Sequence, residues 1–323
     1  MSERVLVTGG AGYVGSVVVD ELLRRGYSVR VLDALLHGSV PSLLLAWPDT
    51  SFEFIHGDVR DAATVDAALE DVSAVVHLAA VVGDPACSRQ PELARAVNLL
   101  GTQRLLDAAE ASSVARFLFA STCSNYGKLR NGALATEEGE LNPVSLYAET
   151  KVAAEHAVLE RSRSGFSTAC LRFATVFGTS PRMRFDLTVN EFARDVCLNG
   201  ELVVYGEQFW RPYVHVRDIA RAVCIMLQAE DRRVAGEVFN VGDTTQNFRK
   251  LDIVDLLRER FPSANIEFVH RDEDPRDYRV SFEKFRNRFA FCSSLTVADG
   301  IDEVVRLVRS GLVSDPYAAA YRN

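Results

Sequence analysis

VLVTGGAGYVG, residues Val5–Gly15, reads as a short apolar strand, a glycine loop and the start of a helix. Gly10, Gly12 and Gly15 satisfy G-x-G-x-x-G, and Gly9, Gly12 and Gly15 satisfy G-x-x-G-x-x-G. Glycine is needed there for a tight turn and for the close approach of backbone to a pyrophosphate. The anion then rests on the first amides of a helix opening at Tyr13 and Val14. A second strand ends at Asp33, where a carboxylate accepts hydrogen bonds from adenosine ribose hydroxyls and repels a 2′-phosphate. NAD is therefore expected over NADP.

Working outward, short β-rich runs at Val5–Thr8, Val29–Asp33, Phe52–His56, Ala74–Ala80 and Phe117–Ser121 alternate with helical stretches at Val14–Arg25, Ala62–Leu69, Pro91–Ala111 and Ser145–Ser164. This alternation predicts right-handed βαβ units: an α/β, Rossmann-type doubly wound parallel sheet. Thr168–Phe177 reads as a further strand, and Arg211–Gln228 as a strand end leading into a helix. The remainder predicts a smaller, mainly helical substrate lobe over the carboxyl ends of the strands. The expected division is a dinucleotide domain over 1–172, rejoined by 208–245, and a substrate lobe from 173–207 and 246–323.

Composition sets limits. The chain has 323 residues, a net charge of −8 and an ordinary globular make-up. Such acidity carries no electrostatic footprint for nucleic acid or anionic membrane. No apolar segment has the length of a membrane span, and the N-terminus does not read as a signal peptide. The six cysteines form no C-x-x-C pair and no metal-ligand spacing, so no metal is expected and the chain reads as a reduced, cytoplasmic protein.

SLYAETK places Tyr147 and Lys151 at i and i+4 on one helix face. A lysine beside a tyrosine favours the phenolate, which can take a proton from a sugar hydroxyl as hydride leaves its carbon. With the glycine loop, Asp33, GDVRD at Gly57–Asp61, HLAA at His77–Ala80, Asn98, ASTCSNYG and YAETK in this order, the chain resembles the extended short-chain dehydrogenase/reductases. Within them it is similar to the NAD-dependent epimerase/dehydratase group acting on sugar nucleotides. LRFATVFG at Leu171–Gly178 and WRPYVHVRDIA at Trp210–Ala220 extend the likeness over nearly the whole chain.

The resemblance implies a Thr122–Tyr147–Lys151 triad, with Tyr147 as base and Lys151 holding it and the nicotinamide ribose. It implies that Asp58 and Val59 flank the adenine, and that Ala79, Ala80 and Asn98 line the cofactor groove. It implies that Arg211, and Arg271 as a second arginine, pair with a substrate diphosphate, which guanidinium forks suit. VVGDPACSRQP at Val81–Pro91 puts Asp84 and Cys87 in range of the sugar, and Ser124 is expected to contact substrate. Thr175 stands where an Asn commonly touches substrate. Arg182 and Arg184 suit a phosphate or a carboxylated sugar, or form a solvated face. A homodimer is also implied.

The residues after Thr122 separate the family's reactions. Sugar-nucleotide dehydratases carry Asp-Glu there as acid and base, and UDP-glucuronate decarboxylases usually keep a Glu where Ser124 stands. This chain has Cys123-Ser124. Cys123 is either a small buried residue or a thiol acid/base at the lost Asp position. The expected function is an NAD-dependent nucleotide-sugar epimerase, inverting C4 through a transient 4-keto sugar. The alternatives are a deoxysugar 4-ketoreductase or dehydrogenase, a dehydratase using Cys123, and a non-enzymatic dinucleotide sensor.

Overall fold

A computed structural model describes residues 3–129, 133–272, 274 and 277–323. The first part of the chain runs β1 (Arg4–Thr8), α1 (Tyr13–Arg24), β2 (Ser28–Asp33), β3 (Phe52–His56), α2 (Ala62–Leu69), β4 (Ala74–His77), α3 (Asp84–Arg89), α4 (Pro91–Arg95), α5 (Thr102–Glu110), β5 (Arg116–Thr122), β6 (Leu134–Ala135) and α6 (Leu146–Glu160). The second part runs β7 (Ser167–Phe173), β8 (Thr175–Phe177), α7 (Thr188–Asn199), β9 (Glu201–Tyr205), β10 (Trp210–His215), α8 (Val216–Gln228), α9 (Asp231–Val234), β11 (Glu237–Val241), β12 (Asn247–Arg249), α10 (Lys250–Arg260), β13 (Asn265–Val269), β14 (Arg279–Val280), α11 (Glu283–Phe289) and α12 (Val297–Arg309).

Seven strands form one parallel sheet in the order β3-β2-β1-β4-β5-β7-β11. The strand order reverses between β1 and β4, and such a switch point opens a crevice at the carboxyl ends of the strands. Side chains alternate across the sheet, as strand geometry requires. Val5 and Val7 enter the core that holds Val18 and Leu22 of α1, whereas Leu6 enters the core that holds Val65 of α2 and Leu105 of α5. Both faces are thus covered, which is why the strands read as apolar runs. No helix among the described residues is long and apolar enough to cross a membrane.

The structure departs from the sequence expectation in several places. The strand expected over Ala74–Ala80 ends at His77, where the chain turns to line the crevice. The single helix expected over Pro91–Ala111 is interrupted by a π-helical turn at Ala96–Gly101. The strand expected over Thr168–Phe177 breaks at Ala174. Its first part joins the main sheet, while β8 pairs with β10 in a separate three-stranded sheet with β12. β11, not expected at all, closes the main sheet beside β7. The stretches expected to be mainly helical also hold the parallel β9–β13 pair.

A buried ion pair ties the site-bearing elements together. Arg172 of β7 grips both carboxylate oxygens of Glu155 on α6, with side chains 4% and 1% exposed. Ser121 of β5 donates to Glu155 at 2.7 Å, and Arg172 donates to Tyr126 OH at 2.8 Å. Removing one member of such a pair strands a buried charge. Arg172→Met should therefore lower unfolding free energy by about 3–5 kcal/mol. The double variant Glu155→Met/Arg172→Met should lose less than either single variant. Urea unfolding checks both.

Candidate active site

The glycine loop is held by contact distances that only glycine tolerates. Gly9 has φ +74, and a Cβ on it would lie 2.7 Å from Ala79 N. A Cβ on Gly15 would lie 2.1 Å from Gly9 O. Gly12 N–H donates to Gly9 O at 3.1 Å and Ser16 N–H to Gly12 O at 3.0 Å, so the loop runs directly into α1. At the end of β2, Asp33 accepts from Ala11 N at 2.9 Å and from Leu35 N at 2.8 Å. Burial raises the Asp33 carboxyl, and those two amides oppose the rise. A carboxylate has acceptor sites to spare beyond these two bonds, and Asp33 lines the crevice.

The crevice is a cavity of about 700 Å³. Gly9, Gly12, Tyr13, Val14, Gly15, Asp33, Asp58, Val59, Ala79 and Ala80 line one part of it. Thr122, Ser124, Tyr147, Lys151, Asp84, Thr175, Arg182, Arg184 and Arg211 line the rest. Residues singled out along the sequence thus meet in one cleft.

Helix α6 is capped by Ser145, whose Oγ accepts from Ala148 N at 3.3 Å and donates to Asp84 Oδ1 at 2.6 Å. That bond fixes α3 against the start of α6. Tyr147 and Lys151 follow at helical spacing. Lys151 is 2% exposed, donates to Ala120 O at 2.8 Å and stands 4.6 Å over the Phe119 ring. Burial lowers Lys151 to about 8. Burial also raises Tyr147, with Cys87 next and Arg184 opposing. Desolvation is the largest influence on both groups in the protein alone. Thr122 Oγ1 accepts from Ser124 N at 3.1 Å, opening the tight turn that carries Ser124 to the cleft.

Of the two readings of Cys123 the buried one is met, and the expected placements of Asn98 and Arg271 need correction. Cys123 is 0% exposed and faces away from the cleft, with Sγ donating to Arg172 O at 3.3 Å. Burial raises its thiol well above the usual cysteine value. A thiol so placed meets no substrate, and Cys123 is a core residue. Asn98 is 1% exposed and does not line the cleft. From the π-helical turn it accepts from Val81 N at 2.8 Å and donates to Val81 O at 3.0 Å, holding the cleft wall from behind. Arg271 does not line the cleft either; its guanidinium lies over Tyr205.

The charges of two cleft arginines are already matched. Arg184 is bidentate to Asp186 at 2.9 and 2.8 Å, and Arg211 pairs with Asp274 at 2.7 Å. Sequence reasoning missed Asp274, Tyr278 and Lys250. Tyr278 OH lies 3.5 Å from Ser124 Oγ, and Lys250 lines the same cavity. None of the three belongs to a motif. They come from the irregular remainder of the chain, where no periodicity marks a residue that folds back.

His215 ends β10, and Glu303 of α12 stands 3.0 Å from its Nε2. Glu303 also accepts from Thr179 N and Oγ1 at 3.2 and 3.0 Å. Burial works to raise Glu303, but His215, Thr179 and Arg217 outweigh it and hold the carboxyl at about 2.

The fold and site define a dinucleotide-binding framework in which Tyr147 and Lys151 of one helix line the same cleft as the glycine loop. The glycine cradle and the carboxylate closing β2 fit NAD. The chain matches the family model described as NAD dependent epimerase/dehydratase family over residues 5–242, and it belongs to that family. Its cofactor is NAD.

Individual relatives cover several reactions. The chain is 31% identical over 319 residues to a dTDP-glucose 4,6-dehydratase of Streptomyces niveus, covering 95% of this chain and 93% of the relative. It is 30% identical over 322 residues to UDP-glucuronic acid decarboxylase 2 of Arabidopsis thaliana, covering 97% and 69%. The crystal structure of the Thermus thermophilus UDP-glucose 4-epimerase in complex with NAD superposes with a TM-score of 0.81 at 29% identity, covering 96% of this chain and 100% of that one.

Solvent access and acid stability both give checks. A thiol reagent should label exposed Cys292 in the folded protein and reach buried Cys123 only on unfolding, as peptide mass mapping would read. The stability supplied by Glu303 is present above its ordinary 4.5 and is lost as pH falls from there to about 2. Glu303→Gln should flatten the acid limb of the stability curve across that window.

Proposed function

We propose that the chain is a nucleotide-sugar 4-epimerase. One observation carries this reading. Where elimination or decarboxylation places carboxylates after the triad threonine, this cleft presents the Ser124 hydroxyl, and Cys123 is turned into the core. The site keeps the groups for oxidation at a hydroxyl-bearing carbon and lacks, at that turn, a carboxylate to drive water loss.

NAD held by the glycine loop and Asp33 would supply reversible hydride transfer at C4. Tyr147 takes the proton of the 4-hydroxyl, and Thr122 donates a hydrogen bond to O4 as charge develops there. Lys151, held against Ala120 O, supplies a nearby positive charge and anchors the ribose side. With the 4-keto sugar presenting its opposite face, the reverse transfer would invert C4, and Tyr147 would return the proton to O4. The hydride and proton removed are the ones restored, so no co-reactant is consumed. Arg211 and Lys250 bind the diphosphate, and Asp84 and Ser124 contact sugar hydroxyls. A cytoplasmic homodimer belongs to this reading.

Incubation with UDP-, dTDP- and GDP-hexoses, followed by chromatographic separation of C4 epimers, tests it. An epimer pair reaching equilibrium without added NAD supports the reading. A 4-keto-6-deoxy or pentose product rejects it. Tyr147→Phe should lower kcat by about 10²–10⁴ while leaving bound cofactor in place.

A further inference from the structure

The segment after β8 is held from two sides. Toward the cofactor loop, Ser180 Oγ donates to Tyr13 O at 2.7 Å and lies 3.0 Å from Ser16 Oγ. Tyr13 OH returns to Gly178 O at 2.6 Å. Tyr13 and Ser16 belong to the first turn of α1, so this segment sits on the pyrophosphate cradle itself. From the other side, Glu303 grips Thr179 through both N and Oγ1. Gly178 has φ +102, and a Cβ there would lie 2.2 Å from His215 Nε2, so the turn closes against the same His215 that Glu303 holds.

Arg182 stands two residues past Ser180. It is 6% exposed and lines the cleft. Its Nη2 donates to Arg322 O at 2.9 Å, but its Nε is buried without a hydrogen-bond partner among the described residues. Arg184 nearby is matched by Asp186, whereas Arg182 makes no ion pair among the described residues. Burial and then the Arg184 charge lower Arg182 to about 10, with Asp186 and Asp33 opposing. A buried guanidinium with a free donor in a cleft wall calls for an anion. A pyrophosphate carries the charge and the paired oxygens that the fork fits.

We propose that residues 178–184 form a latch over the cofactor, in which Arg182 is the counter-ion of the NAD pyrophosphate and Glu303 is the positioning residue that sets the latch. This moves Arg182 from the substrate, where the sequence alone put it, to the cofactor. The assignment does not depend on which reaction the cleft performs. Glu303 touches no ligand and acts through Thr179.

The test is the dissociation rate of NADH, followed by fluorescence, with ADP-ribose and adenosine as competing probes. Arg182→Gln should speed NADH release roughly tenfold or more, the loss expected for a charged hydrogen bond. It should weaken ADP-ribose by the same factor and leave adenosine unchanged, and Arg182→Lys should recover part of the loss. Glu303→Ala should speed release less, and adding it to Arg182→Gln should change nothing further, since it works through that residue. Unchanged NADH release in Arg182→Gln with weakened UDP, dTDP or GDP binding would return Arg182 to the substrate and overturn the proposal. Additive effects in the double variant would overturn the positioning role of Glu303.

Discussion

The arrangement rests on the buried pair between Arg172 and Glu155. It joins β7 to α6, and through Ser121 and Tyr126 it also reaches the end of β5 and the turn that follows. The groups proposed for catalysis come from these same elements: Thr122 from β5, Tyr147 and Lys151 from α6. Two charges withdrawn from water hold only when every lone pair and donor around them is satisfied. The pair therefore allows one relative placement of strand and helix. Cys123 belongs to this network, donating to the Arg172 carbonyl, which explains a cysteine among the polar residues of a strand end. A small side chain with one weak donor fits there, and an aspartate would bring a third charge into the same space.

A second constraint is the distribution of charge along the cleft. The part of the cleft lined by the glycine loop offers backbone amides at the α1 N-terminus and the Asp33 carboxylate. Two cleft-lining arginines come with carboxylate partners, Asp186 for Arg184 and Asp274 for Arg211. Such pairs orient the guanidinium forks before a ligand arrives and lower the reorganisation that binding requires. Arg182 is the exception, buried and, among the described residues, unmatched.

Much of the fold was legible in the sequence because its signals are local. The glycine loop, the carboxylate closing β2 and the Tyr147–Lys151 spacing are each dictated by chemistry within one element. What the sequence hid came from long-range packing. The break at Ala174 hands β8 to another sheet, and no residue in Thr168–Phe177 marks it, since the whole run is apolar enough for either sheet. The π-helical turn that carries Asn98 is likewise set by tertiary contacts: His77 Nε2 lies 2.8 Å from Thr102 Oγ1, which donates to Asn98 O at 2.8 Å. The partners of Arg211 and Ser124 arrive from distant parts of the chain, Asp274 and Tyr278. Whether Cys123 faced substrate or core could not be read from its neighbours, because only the orientation of the turn decides it.

In the proposed reaction, oxidation and reduction occur on one sugar carbon within one closed cycle. Turnover of a nucleotide sugar deuterated at C4, with no added NAD, followed by mass spectrometry of the product, bears on this without intermediaries. The expected product is a C4 epimer that retains the deuterium, with the bound cofactor unchanged in amount and oxidation state. A product that has lost the deuterium, or a 4-keto sugar formed only as external NAD is consumed, would contradict the closed cycle.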